Sequence, residues 1–483
     1  MKLTLKKEYT SNPSHLDPLE KKEKGMITSI PTYKKKPSLL GTLFSTIAIL
    51  LPVALFAVAI PYVIMLGSSV LQPFIKAANF TVTGNSSAFS TLKKEPSLLK
   101  ASNGNTNILI VGIDTRSGGS KLLNTDTIIL ASYNPKYNEI SMMSFPRDLN
   151  VNFPNTPSYG KINATYAYGE IRKKESGMEY LKQLIESISG QKIQYHVMVD
   201  LKGFTSVINF LGGVDVNVVP GFKGWYPQGG KYVSVTFKRG MNHMTGDSAL
   251  QYARIRHVYD ADTYGDYLAE ASDFGRARRQ QKIIQAVIDK ASKVEAFQNT
   301  KKIFEIMGAV AKYIKINRVT PEDVEAGLNI LKDKGKPASY SIVLDPSAGG
   351  GGRLLRRGSG TLYTIEPTAG RSNWSQVKNF VKDYYTSPGL VTIKKPIYVY
   401  NNGASSFSSK LSSMSSRYYY ASFKSGGTPK GLPAAGVYNI GGTISASTAK
   451  YLASAYKLNY IEVDSTVTVP KPKNCYIVIV LGK

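Results

Sequence analysis

From Ser38 to Ile75 the chain reads "SLLGTLFSTIAILLPVALFAVAIPYVIMLGSSVLQPFI", without one charged residue. A bilayer-spanning helix needs about 20 apolar residues, so this run is long enough to cross a membrane. Pro52 and Pro61 can kink such a helix without forbidding it. Residues 1–36 before it are polar and hold nine lysines. Positive charge on the near side places residues 1–36 in the cytoplasm, and the chain beyond about residue 75 outside the cell. A cleavable signal peptide fits badly, because the apolar run and the preceding tail are both too long. The expected location is therefore the cell membrane, single-pass, with a cytoplasmic N-terminus and an extracytoplasmic body.

That topology gives the charge a meaning. The 483 residues carry a formal net charge of +28, which favours an anionic partner. Outside the cytoplasm nucleic acid is a poor candidate. Anionic lipid headgroups, lipid pyrophosphates and anionic wall polymers are better ones. The one cysteine, Cys475, excludes an internal disulfide and a multi-cysteine zinc site. It reads as a packed hydrophobe. The four histidines show no metal-binding spacing.

The body reads as α/β. A linker at 76–102 precedes the apolar β runs "NILIVGI" (107–113), "DTIILASY" (126–133) and "EISMMSF" (139–145). "NPKYN" between the last two is turn chemistry. Helical periodicity follows at 178–190, 202–213 and 275–293, with strands at 195–201 and 214–219 between them. Strands mixed with helices argue for an α/β sandwich. The loop-rich segment 334–375 gives no clear pattern. A strand, a helix and a terminal strand then form a small α/β unit over 396–483. The expected division is a basic tail (1–36), a membrane helix (37–75), a linker (76–102), a catalytic domain (103–385, core motifs 104–290) and a C-terminal domain (396–483).

Asp114 ends the first β run, Asp126 begins the second and Arg147 follows the third. If the first two runs pair antiparallel and the second and third form a hairpin, all three residues meet at one sheet edge. Paired carboxylates there suit a hard divalent cation, Mg²⁺ (or Mn²⁺), which takes one or two carboxylates and completes its shell with water and phosphate oxygens. Strand-end aspartates are equally read as caps or loop residues.

Arginine crowds two further stretches, "QYARIRH" (251–257) and "SDFGRARRQQ" (272–281). Arg276 and Gln280 share a helix face with the stripe Ile283, Ile284 and Val287, which turns them inward. Arg278 groups with Lys282, Gln285 and Asp289 and is expected on the wet face. An inward guanidinium needs an anion. An internal carboxylate or a phosphate, which arginine binds bidentately, would each serve. In an extended reading of 251–257, Arg254 and Arg256 point one way with Tyr252. Arginines 147, 256 and 276 with two acids look more like a pyrophosphate–metal site than a structural network. The "DFG" match lacks the other kinase motifs and is chance.

At these residues the chain resembles the LytR-CpsA-Psr family. The pieces "NILIVGIDTR", "NTDTIILASYNPKYNEISMMSFPRDL", "KINATYAYG", "VDLKGFTSVINFLGGVDV", "GDSALQYARIRH" and "SDFGRARRQQKIIQAVI" stand in family order over about 104–290. The tail "IYVYNNGASSFSSKLSSMSS" looks like the LytR C-terminal domain. The resemblance implies a mixed central sheet flanked by helices, after one membrane helix. It also implies an apolar tunnel for a polyprenyl chain, and an enzyme moving a glycopolymer from a polyprenyl (undecaprenyl) pyrophosphate to peptidoglycan as a phosphodiester. It makes Asp114 and Asp126 the metal ligands. Arg147, Arg256, Arg276 and Gln280 would contact pyrophosphate. Arg116, Lys161, Arg254 and Asp273 lie in matching motifs, as further pyrophosphate contacts and, for Asp273, a catalytic group. A lipid pyrophosphate hydrolase or a non-catalytic wall-polymer binder are the alternatives. The stretch "HVYDADTYGDYLAEAS" (257–272) is longer than the usual family spacer. It reads either as a solvated insertion or as a mobile flap whose tyrosines stack on sugars.

Overall fold

The three apolar β runs build the middle of one mixed sheet. The computed structural model describes residues 98–113, 123–291, 313–317, 333–346 and 354–482, with Asp323, Ala326 and Ile330. The tail, the uncharged run, most of the linker, Asp114 and Arg116 lie outside the described residues. No helix among the described residues is long and apolar enough to cross a membrane.

β1 (Thr106–Ile113), β2 (Thr125–Asn134) and β3 (Glu139–Ser144) form an antiparallel meander. The turn at 134–138 is the one its asparagine and proline announce, and Asn138 takes a positive φ there. A small hairpin, β4 (Asn150–Asn152) and β5 (Tyr159–Lys161), leads into α1 (Thr165–Arg172) and α2 (Gly177–Ser189). β6 (Tyr195–Asp200) returns parallel to β1, and α3 (Leu201–Phe210) follows, capped by the Asp200 side chain on the Gly203 N–H. β7 (Val214–Val218), β8 (Phe222–Gln228), β9 (Lys231–Phe237) and β10 (Gly240–Met244) come next, then α4 (Gly246–Arg254). β11 (His257–Ala261), α5 (Tyr264–Glu270) and the long α6 (Asp273–Ala291) complete the arginine-rich region. β12 (Ile314–Ile316) and β13 (Ala338–Val343) close the edges, giving the sheet order β12-β6-β1-β2-β3-β13. β14 (Leu355–Arg357) and β15 (Ile365–Pro367) are a hairpin in the segment that lacked a sequence pattern.

Strand alternation gives the sheet two apolar faces. One face packs Leu109, Val111, Ile128 and Leu130 on Leu181, Leu184 and Ile185 of α2. Over the other lie α3, α4 and α6, contributing Ile208, Ala249 and Ile283.

α7 (Ser375–Thr386) and α8 (Gly389–Thr392) lead to a second sheet. It is built from β16 (Ile397–Asn402), α9 (Phe407–Arg417), β17 (Phe423–Gly427), β18 (Gly436–Asn439), α10 (Thr443–Tyr456), β19 (Asn459–Glu462) and β20 (Ile477–Gly482). Its strand order is β17-β16-β20-β18-β19. Polar contacts join it to the first sheet. Asp383 of α7, 2% exposed, accepts from Arg417 at 2.7 and 2.9 Å and from Tyr420 at 2.6 Å. Ser447 of α10 donates to Glu139 of β3 at 2.6 Å. Cys475 is buried, as a packed thiol should be.

Two expectations are corrected. The stretch 251–257 is not extended throughout: α4 runs to Arg254, started by the Thr245 side chain accepting from the Ser248 N–H. The stretch 257–272 is not a loose flap. β11 pairs with β8, and α5 has its own Thr263 cap. Three of its acids are spoken for: Asp260 pairs with Lys223 at 2.7 Å, Asp262 holds Arg239 at 2.7 Å and the Gly221 N–H at 2.8 Å, and Glu270 is buried against Arg279. Gly275 fits α6 against α5, because a β-carbon there would collide with the Ala269 and Glu270 carbonyls. That is the structural content of "DFG".

Candidate functional site

The antiparallel register of β1 on β2 brings Ile113 opposite Thr125, and Phe145 donates its N–H to the Ile128 carbonyl. The start of β2 and the exit of β3 therefore lie at one sheet edge. Across that edge come the first turn of α6 and Arg256, two residues beyond the end of α4. Four segments thus deliver Asp126, Arg147, Arg256, Asp273 and Arg276 to one place.

Their contacts form a closed lattice. Asp126 Oδ2 accepts from Arg256 at 2.9 Å and Arg147 at 3.4 Å, and its Oδ1 accepts from the Asn163 amide at 3.3 Å. Asp273 accepts from Arg147 Nε at 3.0 Å and pairs with Arg276 at 3.1 Å. Asp148 lies 3.5 Å from Arg147 and 2.5 Å from Lys161. Burial pushes the Asp126 carboxyl up, but Arg147, Arg276, Asn163 and Arg256 together hold it below its ordinary value. Burial draws the Arg147 guanidinium down, and Asp273, Asp126 and Asp148 more than reverse this. Arg276 is different. Burial brings it down to about 10, the nearby Arg256 and Arg147 push the same way, and Asp273 and Asp126 offset only part. Three guanidiniums and Lys161 face three carboxylates here, and Arg276, the most buried of the guanidiniums, is under-compensated. Such a site is completed by an anion with several oxygens.

The lattice borders two cavities. The larger, about 500 Å³, runs under the sheet between β1, α3 and α6, and its wall is apolar: Ile108, Ile110, Val207, Ile284 and Val287 are typical. The smaller, about 240 Å³, is of mixed character and more polar than the larger, with Arg147, Asp148, Asp273 and Tyr363 around it beside Ile128, Phe274 and Val343. Asp126, Thr127, Arg276 and Gln280 belong to both walls. Arg254 and Arg256 line the larger cavity only. Gln280 keeps its place by donating to the Ala253 carbonyl at 3.3 Å. Gly112 has Thr127 across the strands, so close that an added β-carbon would come within 2.9 Å of it.

Lys161 lines neither cavity; it stands behind Asp148 and braces it. Arg278 is not the solvated charge its helix face predicts. It donates to buried Asp345 at 3.3 Å and to the Ala269 carbonyl at 2.9 Å, because segments far along the chain cover that face. Arg279, singled out by no motif, is the structural arginine. It is fully buried and donates to the carbonyls of Tyr252 (2.8 Å), Glu270 (2.9 Å) and Ile255, and to the Glu270 carboxylate at 2.6 Å. It thereby fixes the chain on both sides of Arg256. Its periodicity was a signal: Arg279, Ile283 and Ala286 share one buried stripe. Asn163 and Asp148 lay in quoted motifs without a role, and Tyr363 had no signal at all.

Among the described residues no group of three or more His, Cys, Asp or Glu side chains could hold a metal. Asp126 nevertheless fits a cation shared with phosphate. It is the one described carboxylate in both cavity walls, it stays ionised, and Mg²⁺ asks for only one or two carboxylates.

The sequence model of the LytR_cpsA_psr family matches residues 74–339. A polyisoprenyl-teichoic acid–peptidoglycan teichoic acid transferase TagU of Bacillus cereus is 31% identical over 210 residues, 44% of this chain and 59% of that protein. The chain therefore spans about three fifths of that relative. A transferase of the same description, TagV of Bacillus subtilis, is 29% identical over 68% of this chain and 77% of its own. The crystal structure of B. subtilis TagV covers 58% of this chain and 97% of its own, at 28% identity and a TM-score of 0.41.

Proposed function

The chain belongs to the LytR-CpsA-Psr family, and from that premise we propose that it transfers a glycopolymer from a polyprenyl pyrophosphate to peptidoglycan. The observation that carries this reading is the shared wall: one lattice of arginines and carboxylates borders both a large apolar cavity and a smaller, more polar one. An amphiphile with a long apolar tail and a pyrophosphate head fits that arrangement. Its tail would occupy the cavity of Ile110, Ile284 and Val287. Its pyrophosphate would lie on Arg147, Arg256 and Arg276, supplying the charge that Arg276 lacks.

In-line transfer sets the geometry of the acceptor. The lipid-side phosphate leaves toward the tail, so the sugar hydroxyl must reach the sugar-side phosphorus from the opposite face. As the new P–O bond forms, the hydroxyl gives up its proton and the bond between the two phosphates breaks. The products are a glycan phosphodiester on peptidoglycan and polyprenyl phosphate. The guanidiniums neutralise charge on the transferring phosphoryl where it develops. Asp126, with Asp114, would hold Mg²⁺ or Mn²⁺, which would supply further charge neutralisation to the pyrophosphate. Residues 37–75 would anchor the chain in the cell membrane with the catalytic part outside. Residues 396–483 would be a LytR-type C-terminal domain.

The test is incubation with a defined polyprenyl-pyrophosphate glycan and peptidoglycan fragments, followed by product mass. A phosphodiester-linked adduct supports the reading. Free glycan phosphate at the same rate with and without acceptor identifies a hydrolase instead. Saturable polymer binding with no product of either kind identifies a binder.

A further inference from the structure

We propose that the outer face of the three-stranded sheet β11-β8-β9 is a carbohydrate-stacking subsite that holds the acceptor glycan strand beside the mouth of the large cavity. The proposal rests on the transferase reading above for the name of its ligand, but not for the existence of the surface.

Strand alternation decides which side chains this face carries. Phe222, Gly224 and Tyr226 of β8 turn into the core, so Lys223, Trp225 and Pro227 turn out. Register then sets their neighbours. Trp225 lies between His257 of β11 and Ser234 of β9, and Pro227 lies beside Tyr232. The rings of Trp225 and Tyr259 are 4.9 Å apart and inclined by 30°. The Tyr259 hydroxyl meets Ser234 Oγ at 2.6 Å, which fixes that ring over the sheet. Tyr232 stands edge-on to His257 at 6.4 Å and is 59% exposed. Tyr232 and Tyr259 are exposed and Trp225 is half-buried beside them, and aromatics held in a fixed array at the surface mark a binding surface.

Three observations select the occupant. First, the array continues into the site: Trp225, Pro227, Tyr232 and His257 also line the large cavity, and His257 follows Arg256 directly. Second, two of its cations are paired locally. Lys223 pairs with Asp260 at 2.7 Å, and Arg239 with Asp262 at 2.7 Å. A polyanion would want free cations here, whereas an uncharged glycan wants aromatic faces for its C–H surfaces and polar groups at their rim for its hydroxyls. Third, the β8–β9 hairpin tip is Gln228, Gly229, Gly230 and Lys231, too polar for insertion into a bilayer. From Lys223 to Pro227 the face is about 13 Å long, room for more than one sugar ring. The donor is already held by its tail and pyrophosphate. The acceptor has neither and needs a surface of its own.

The chain has two tryptophans, and Trp374 is buried in the core, so Trp225 reports on the platform. The full chain in detergent is titrated with chitohexaose, a β-linked N-acetylglucosamine oligomer, while acrylamide quenching is followed. Affinity for the same probe is measured by calorimetry. Saturable protection of one tryptophan is expected, with about tenfold weaker binding in Trp225→Ala and Tyr232→Ala. Tyr232 is exposed, so that variant keeps the fold. Both variants should keep the thermal shift given by inorganic pyrophosphate, which needs only the arginines, and their KM for acceptor should rise while kcat at saturating acceptor holds. The proposal is overturned by unsaturable titration, by unchanged affinity in both variants, or by a rise in donor KM with acceptor KM unmoved. It is also overturned if phosphatidylglycerol vesicles, and not the oligosaccharide, protect the tryptophan. Glycan binding with no pyrophosphate shift would count against the transferase reading and leave the platform standing.

Discussion

Replacing Arg276 by glutamine separates a guanidinium kept for its ligand from one kept for the fold. Arg276 is 4% exposed, and its close carboxylate, Asp273 at 3.1 Å, is shared with Arg147. Burial, the largest influence, brings its pKa down to about 10. A fall of that size corresponds to about 3 kcal/mol of cost for holding the charge in the folded chain. Arg276→Gln should therefore leave stability unchanged or raise it by up to about 3 kcal/mol. Arg279 is the control. It is fully buried, with Glu270 and three carbonyls satisfying it. Arg279→Gln strands that carboxylate and should cost about 3–5 kcal/mol. The assay is chemical denaturation with and without pyrophosphate. At about 100 times its Kd the ligand should stabilise the wild type by about 2.7 kcal/mol and Arg276→Gln by little. Destabilisation of Arg276→Gln as large as that of Arg279→Gln, with the pyrophosphate response intact, would refute the reasoning and make Arg276 a structural ion pair.

Three further outcomes follow from the same geometry. Asp126→Asn should lower transfer by about a hundredfold and make the residual rate insensitive to chelation of divalent metal, as measured in single-turnover assays. Ile284→Trp narrows the apolar cavity, so the KM for a long-chain polyprenyl donor should rise much more than that for a three-isoprene donor. Glu139 is buried between the two sheets, and burial pushes its pKa up despite the Ser447 and Tyr340 hydroxyls. Below its unfolded value of 4.5 the carboxyl is protonated in both states, and the penalty grows as pH rises toward the folded value. Glu139→Gln should accordingly be more stable than the wild type at pH 7, with the gain vanishing below about pH 4 in a pH series of denaturation curves.

The central meander was legible because three apolar runs with one turn between two of them leave few pairings, and pairing alone brings Asp126 and Arg147 to one edge. Arg276 and Gln280 were legible from helical periodicity. The reading failed where a partner comes from far along the chain. Arg278 looked solvated because its partner Asp345 sits 67 residues away in a segment without pattern. Arg279 received no reading, although it shares a helix face with Ile283 and Ala286; the four acceptors that let a fully buried arginine exist come from other segments. Residues 257–272 looked loose because their acids and tyrosines resemble solvated loop composition. The pairing of β11 with β8, and the burial of Glu270, use contacts that composition does not carry. The cavities belong to the same class, since a void is defined by what many distant residues leave unfilled.

The central claim is that the bond between the two phosphates breaks, with the sugar-side phosphorus passing to the acceptor. It is tested most directly by a donor carrying ³²P at one defined phosphorus. With the sugar-side atom labelled, radioactivity should appear in the peptidoglycan fragment, and with the lipid-side atom labelled it should stay with the polyprenyl phosphate. Sugar-side label recovered as soluble glycan phosphate in the presence of saturating acceptor, or lipid-side label entering peptidoglycan, would contradict it.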